Sequence, residues 1–342
     1  MKLRYLIITV GLSLIWINCD SILTNDSNKK HPTNYKWEID TIQHNFDQFM
    51  SFETIEMLYY DQDDIYIVCE SLHYHGIYFH YNGEQWRQYL LEKTRKIESL
   101  CTFNDKIFCA AWIADHQGRI LSFNRRKKQW TPRLTVDQNN TVFFDIWSDG
   151  KDNIWAGGLN GTLYHYNGQD WHDYSLADSI WISEFSGHSM DQLYALGYCL
   201  FNGSPRVGNV YLLKWTGEKW IIVDQFMMDN YNRTNYPFGN RDLYVTDEFI
   251  YTCGHGLFKK RLGEKEWVKI FRDNYYNFVA SSSEHMFAIG QYGLVNYWNG
   301  KKWQELDISH YPDIIYRDGW TDGNQLYIMG YGSDNGYLIH GR

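Results

Sequence analysis

The side chains in this sequence best suited to chemistry are histidines and acids set between short apolar segments: Glu70, His73 and His75, then Asp115 and His116 beside Trp112, then His255. A His-x-His pair such as His73 and His75 shares one face of an extended segment. Imidazoles joined by a carboxylate such as Asp115 form an ordinary zinc donor set. The donors come from three distant segments, however, so spacing alone assigns no metal, and neither a metal nor another cofactor is expected. Asp61-Gln62-Asp63-Asp64 lacks the glycine and the distal glutamate of a calcium-binding hand loop and reads as a turn. The sequence has no Gly-x-Ser-x-Gly elbow, no His-Glu-x-x-His pair and no phosphate-cradling glycine loop. A carboxylate pair for glycoside cleavage would have to be assembled from distant segments, so catalysis is the minority reading.

These residues are spaced by a repeated unit, most complete over Asp149–Tyr174. One strand motif, an aliphatic residue followed by an aromatic, occurs as Ile65-Tyr66, Ile107-Phe108, Ile154-Trp155, Leu193-Tyr194, Ile250-Tyr251, Met286-Phe287 and Leu326-Tyr327. Three residues after the aromatic most copies carry glycine (Gly158, Gly197, Gly254, Gly290, Gly330), and the other two carry Cys69 and Ala111. Small residues there let a neighbouring backbone approach. A second glycine opens the next strand, a turn follows, and a tryptophan leads the last strand: Trp86, Trp130, Trp171, Trp220, Trp267 and Trp303. Asn82-Gly83, Asn167-Gly168 and Asn299-Gly300 are hairpin signals, because both central residues of a type I′ turn need positive φ. A short apolar run precedes each motif, as in Ile55–Tyr60 and Val142–Trp147. Each unit therefore reads as four antiparallel strands, a to d, recurring every 36 to 57 residues or so, the spacing of propeller blades.

The fold class expected is all-β, a seven-bladed β-propeller of four-stranded antiparallel blades. The seventh copy ends after Gly336 with no tryptophan-led strand, and Trp37 in Tyr35–Ile39 supplies one. An N-terminal strand pairing into the C-terminal blade would close the ring and remove two open edges. A six-bladed ring with an irregular tail and an open solenoid are the alternatives. Asp149–Gly168 resembles the two-component-regulator type of bacterial propeller repeat, with the general grammar of kelch-like propellers. That resemblance implies fold only: such families serve as sensors, receptors and scaffolds, and no catalytic residue carries over.

Residues 1–19 place Lys2 and Arg4 before an apolar run to Ile17, too short to span a bilayer comfortably. The run closes on Cys19 and resembles a bacterial lipoprotein signal, with Cys19 as the lipid attachment site. Plain secretion and an uncleaved anchor are the alternatives. Residues 20–34 read as a flexible tether and 35–342 as a single propeller domain. Five further cysteines, an odd number, argue against a full disulfide framework and read as small buried hydrophobes. Net charge is -9 and the one basic run, Arg125–Lys128, sits in a hairpin turn, so nucleic acid is not an expected partner. Aromatic residues make up 18% of the chain, and loops rich in Tyr, Asn and Gly suit recognition. The expected binding face gathers the b–c and d–a connections: Glu70, His73, His75, Trp112, Asp115 and His116, with His255, Tyr292 and Tyr331. The function expected is an exported binding or scaffold module for a protein or glycan at the cell envelope, meeting membrane only through a lipid anchor. The alternative is a polysaccharide-acting hydrolase or lyase at the channel mouth.

Overall fold

A computed structural model describes residues 31–43, 53–70, 76–91, 93–113, 117–136, 141–177, 179–201, 207–229, 235–308, 313–332 and 335–342. Cys19, His73, His75, Asp115 and His116 lie outside these residues, as do residues 20–30 of the expected tether; its last part is ordered instead, with a 3-10 turn at Pro32–Asn34 whose Pro32 is buried. Glu70 is the last residue of a strand, Asp64–Glu70.

The described chain is all-β apart from short 3-10 turns. The first strand is β1 (Trp37–Ile42). Four antiparallel sheets follow in chain order: β2 (Glu53–Asp61), β3 (Asp64–Glu70), β4 (Gly76–Tyr81) and β5 (Trp86–Leu91); β6 (Thr94–Phe103), β7 (Lys106–Ile113), β8 (Gln117–Asn124) and β9 (Gln129–Val136); β10 (Phe143–Ser148), β11 (Ile154–Gly158), β12 (Leu163–Tyr166) and β13 (Trp171–Asp173); β14 (Trp181–Ser186), β15 (Tyr194–Leu200), β16 (Gly208–Trp215) and β17 (Trp220–Met228). Next come β18 (Asp242–Val245), β19 (Phe249–Arg261), β20 (Val268–Ser282), β21 (His285–Gly290), β22 (Val295–Trp298) and β23 (Trp303–Glu305), assigned to one six-stranded sheet. The last sheet combines β24 (Ile315–Thr321), β25 (Leu326–Tyr331) and β26 (Gly336–Gly341) with β1, in the order β1-β26-β25-β24.

Within the six-stranded sheet two strands change partner midway. Ile250–Cys253 of β19 pair with β18, and residues 255–259 pair with β20. Val268–Asn274 of β20 pair with β19, and Tyr275–Ser282 pair with β21. The change in β19 falls at His255, between Gly254 (φ 149°) and Gly256 (φ 132°), a backbone region that glycine enters without steric cost.

The repeated motif is a packing device. Its aromatic lies directly across the ladder from the next strand, as Tyr66 opposite His80, Trp155 opposite His165 and Tyr327 opposite His340. Each of these pairs stacks, at 4.4, 4.6 and 4.0 Å between ring centroids. The motif glycine lets the strand meet its neighbour's backbone: a Cβ on Gly158 would stand 1.7 Å from the Val142 carbonyl oxygen, and one on Gly290 2.2 Å from that of Asn274. The last-strand tryptophans face the aromatic that precedes the hairpin, at 5.3 Å for Tyr81–Trp86, 4.9 Å for Phe123–Trp130 and 5.4 Å for Tyr166–Trp171. They also reach the preceding sheet: Trp130 lies edge-on to Tyr78 at 5.8 Å, and Trp220 to Trp155 at 5.2 Å. Such pairs add to the stabilisation from burying the rings.

The chain's two ends meet. Trp37 stands opposite Gly341 and Ile42 opposite Gly336. Lys36 N–H donates to the Arg342 carbonyl at 2.9 Å, and Arg342 N–H returns one at 3.2 Å. The five cysteines are all free thiols. Burial pushes the thiol pKa of Cys69, Cys101, Cys109 and Cys253 up, which suppresses the reactive thiolate. No described helix is long and apolar enough to cross a membrane.

Candidate functional site

The first strand of each unit carries a polar residue at a matching position: Glu56, Ser99, Asp145, Glu184, Asp242, Asn277 and Asp318. All seven line one cavity of about 790 Å3. In six of the seven strands the ladder register slips just before this residue, between Thr54 and Glu56, Ile97 and Ser99, Phe143 and Asp145, Ile182 and Glu184, Tyr275 and Asn277, and Tyr316 and Asp318. Such a bulge breaks the strict in-out alternation and re-aims side chains.

Five of these polar residues accept a backbone N–H from the first strand of the unit that follows. Glu56 Oε2 accepts from Leu100 N–H at 2.9 Å, Ser99 Oγ from Ile146 N–H at 3.3 Å, and Asp145 Oδ2 from Phe185 N–H at 2.6 Å. Asp242 Oδ2 accepts from Phe278 N–H at 2.6 Å, and Asp318 Oδ2 from Met57 N–H at 2.7 Å. The last bond links strand β24 to strand β2 across 261 residues of sequence. Ser99 Oγ–H also donates to Asp145 Oδ1 at 2.6 Å.

Burial raises the pKa of every carboxyl in this set, and neighbouring carboxylates add to it at Glu56, Glu184 and Asp242. Glu56 is pushed well up by burial and then by Asp318 and Asp145, and Glu184 by burial and then by Asp145 and Asp242. Burial raises Asp242 to about 8 and Asp318 to about 7, against the opposing pull of the backbone N–H bonds, and also raises Asp145. Glu56 and Glu184 are half-buried and line the cavity. The floor of the cavity therefore carries far less negative charge at neutral pH than its formula implies.

Residues displaced by the bulges, among them Phe144, Tyr276 and Arg317, line the rim together with their neighbours. On one side Arg241 and Arg317 both lie over the Tyr276 ring, at 3.9 and 4.8 Å from its centroid. Nη1 of Arg241 is buried with no hydrogen-bond partner among the described residues. On the other side Phe144 lies 6.1 Å from Trp181 and 6.2 Å from Trp112. Lys96 and Glu98 pair with each other at 3.1 Å.

The described residues of the expected binding face do not converge on one pocket. Trp112 joins the aromatic side of the rim. His255 Nδ1 bonds Asn274 Oδ1 at 2.8 Å, and Asn274 also borders a shallow groove of about 640 Å3 that holds Tyr292. Tyr292 is 73% exposed with φ 56°. Tyr331 packs separately, against the core between the β24–β26 and β2–β5 sheets. Glu70, Trp112, His255 and Tyr331 are strand residues, a correction to their expected loop placement. The ladder runs past the small motif residue, Ala111 or Gly330, until it meets the glycine that opens the next strand, as Trp112 opposite Gly118 and Tyr331 opposite Gly336. The carboxyl set itself was missed, although its signal lay in plain view as a lone acid inside Ile55–Tyr60, Val142–Trp147 and Trp181–Phe185. Among the described residues no group of three His, Cys, Asp or Glu has the geometry to hold a metal ion.

No family model and no curated protein matches the sequence. Solved structures do match by shape. A structure described as YCF48 bound to D1 peptide aligns with a TM-score of 0.62 at 11% identity, over 91% of this chain and 97% of that one. The WD40 β-propeller domain of Doa1 aligns with a TM-score of 0.57 at 13% identity, over 89% and 96%. The chain has a β-propeller fold. Its identity to both is too low to carry any activity across.

Proposed function

We propose that this propeller is a binding module whose partner is a protein segment carrying a carboxylate, engaged at the rim of the central cavity. The observation that carries the reading is the Arg241–Tyr276–Arg317 cluster above carboxyls whose charge is suppressed. Guanidinium groups held against an aromatic ring have the planar geometry and charge that suit a carboxylate. The aromatic side of the rim offers apolar area for neighbouring side chains. A propeller of similar shape holds a peptide, which is consistent with this use of the fold.

Seven blades complete the proposal. Dividing β19 and β20 where they change partner yields two four-stranded units, which join the five four-stranded sheets. The β1–β26 ladder and the Met57–Asp318 bond support closure into a ring. The segment ending at Cys19 supports export and lipid anchoring at a cell envelope, with residues 35–342 as one domain. The polysaccharide-cleaving alternative needs an acid and a base free to exchange protons. Glu56, Asp145, Asp242 and Asp318 instead hold backbone N–H groups of neighbouring sheets, which favours binding over cleavage.

A displayed random-peptide library selected on the purified chain tests the rim. Peptides rich in Asp, Glu or a free C-terminus are expected, with affinity falling at least tenfold in Arg241→Gln/Arg317→Gln. Selection of uncharged peptides, or affinity unchanged in the double variant, would overturn the reading.

A further inference from the structure

A second cavity, of about 990 Å3, lies between the β2–β5 and β6–β9 sheets. It opens at the end of the sheets that carries the Asp61–Asp64 and Asn124–Gln129 turns. The polar ring lies at the opposite end, near the start of the first strands. This cleft is thus independent of the central cavity and shares no lining residue with it. We propose that it is a carbohydrate-binding site for a neutral oligosaccharide.

Its inner wall is aromatic. Tyr66, Tyr78 and Phe123 are buried, while Tyr59 and Tyr89 remain partly open. Their planes are locked by stacking: Tyr78 on Tyr89 at 5.0 Å and 12°, and Tyr59 on Trp320 at 3.6 Å and 14°. Fixed rings lose little conformational freedom when a ligand arrives.

The polar groups are fixed as well. The Asp64 carboxylate sits between His80 Nε2, at 2.7 Å, and the Arg125 guanidinium, with which it forms an ion pair. Arg125 in turn lies 3.4 Å from the centroid of the Tyr60 ring. Around this centre the rim exposes Asp61 and Asp63 from one turn, and Arg126 and Lys128 from the other.

The class of ligand follows from this mixture. Three carboxylates face three cations, so the rim has no net charge to draw a polyanion or a polycation. A phosphorylated ligand would meet Asp61 and Asp63, and a purely apolar one would strip water from six charged groups without replacing its hydrogen bonds. A sugar ring has an apolar C–H face that lies on aromatic rings and a rim of hydroxyls that both donate and accept. Neighbouring carboxylate and guanidinium groups satisfy such hydroxyls with charge-assisted hydrogen bonds. The volume falls at the upper end of the roughly 300–1,000 Å3 usual for small-ligand sites, which suits more than one sugar ring.

The test is an array of defined neutral and anionic oligosaccharides probed with the full chain in detergent, followed by calorimetry on the best binders. Neutral oligosaccharides should bind, with affinity reduced at least tenfold by Tyr89→Ala and by Arg126→Ala. Arg126 is exposed, so its variant keeps the fold if Tyr89→Ala does not. Arg241→Gln, in the central cavity, should leave the affinity unchanged. The proposal is overturned if no neutral glycan binds at millimolar concentration, if anionic glycans bind better, if both cleft variants bind normally, or if Arg241→Gln abolishes binding.

Discussion

Two sets of buried titratable groups pull stability in opposite directions with pH. His165 stacks on Trp155, bonds Asn153 Oδ1 at 2.8 Å, and has its pKa lowered to about 4 by burial and then by His172. A lowered imidazole pKa means the unfolded chain binds the proton more readily. The stability His165 provides is therefore intact above about 6.5 and lost as pH falls towards 4. Replacing His165 with Gln should flatten that loss in thermal melts between pH 6.5 and 4. Asp242 and Asp318 behave oppositely. Their pKa values are raised in the fold, so the native state holds the proton more readily. Their contribution is complete below the ordinary carboxylate range and is lost as pH rises through about 7 to 8. Asp242→Asn, which keeps an acceptor for Phe278 N–H, should reduce the fall in melting temperature between pH 5 and 9, and an unaltered slope would exclude Asp242 as its source. Neither effect was legible in the sequence, because burial and partners from other strands set both pKa values.

At the scale of the strand, the repeat was readable because each position in it has one physical job. Glycine at 158 and 290 is demanded by a carbonyl oxygen where a Cβ would go, and tryptophan at 130 and 220 by an aromatic on the preceding sheet. Trp171, packed on Tyr166 and against the core between the β6–β9 and β10–β13 sheets, tests this register. Trp171→Ala should cost about 3 kcal/mol, measured by urea denaturation, and an unchanged midpoint would refute the packing role. Strand ends were harder to place. Trp112 and Tyr331 read as loop residues because the small motif residues before them, Ala111 and Gly330, look like strand ends, whereas the ladder continues through them. The polar set escaped notice because a bulge turns one residue out of phase, and a single Glu or Asp in an apolar run then looks like an interruption.

For the molecule as a whole, the sheet that combines β1 with β24–β26 joins residues from the two ends of the chain. Removing residues 1–42 should expose the β26 edge to other chains and empty the position of Ile42, which is fully buried. Light scattering should then reveal self-association at concentrations where the full chain is monodisperse, together with a lower denaturation midpoint. The repeated four-stranded sheets were legible because every copy has the aliphatic-aromatic pair; the proposed partner was not, because rim residues such as Arg241 and Arg317 sit outside any repeating pattern. The reciprocal hydrogen bonds between Lys36 and Arg342 carry a further consequence. Those two positions can be spliced by a short linker and the chain cut open elsewhere, for instance within 202–206, so that synthesis starts at a different sheet. Such a circular permutant should reach the same native state, which would make the order of the sheets along the gene immaterial to the architecture they build.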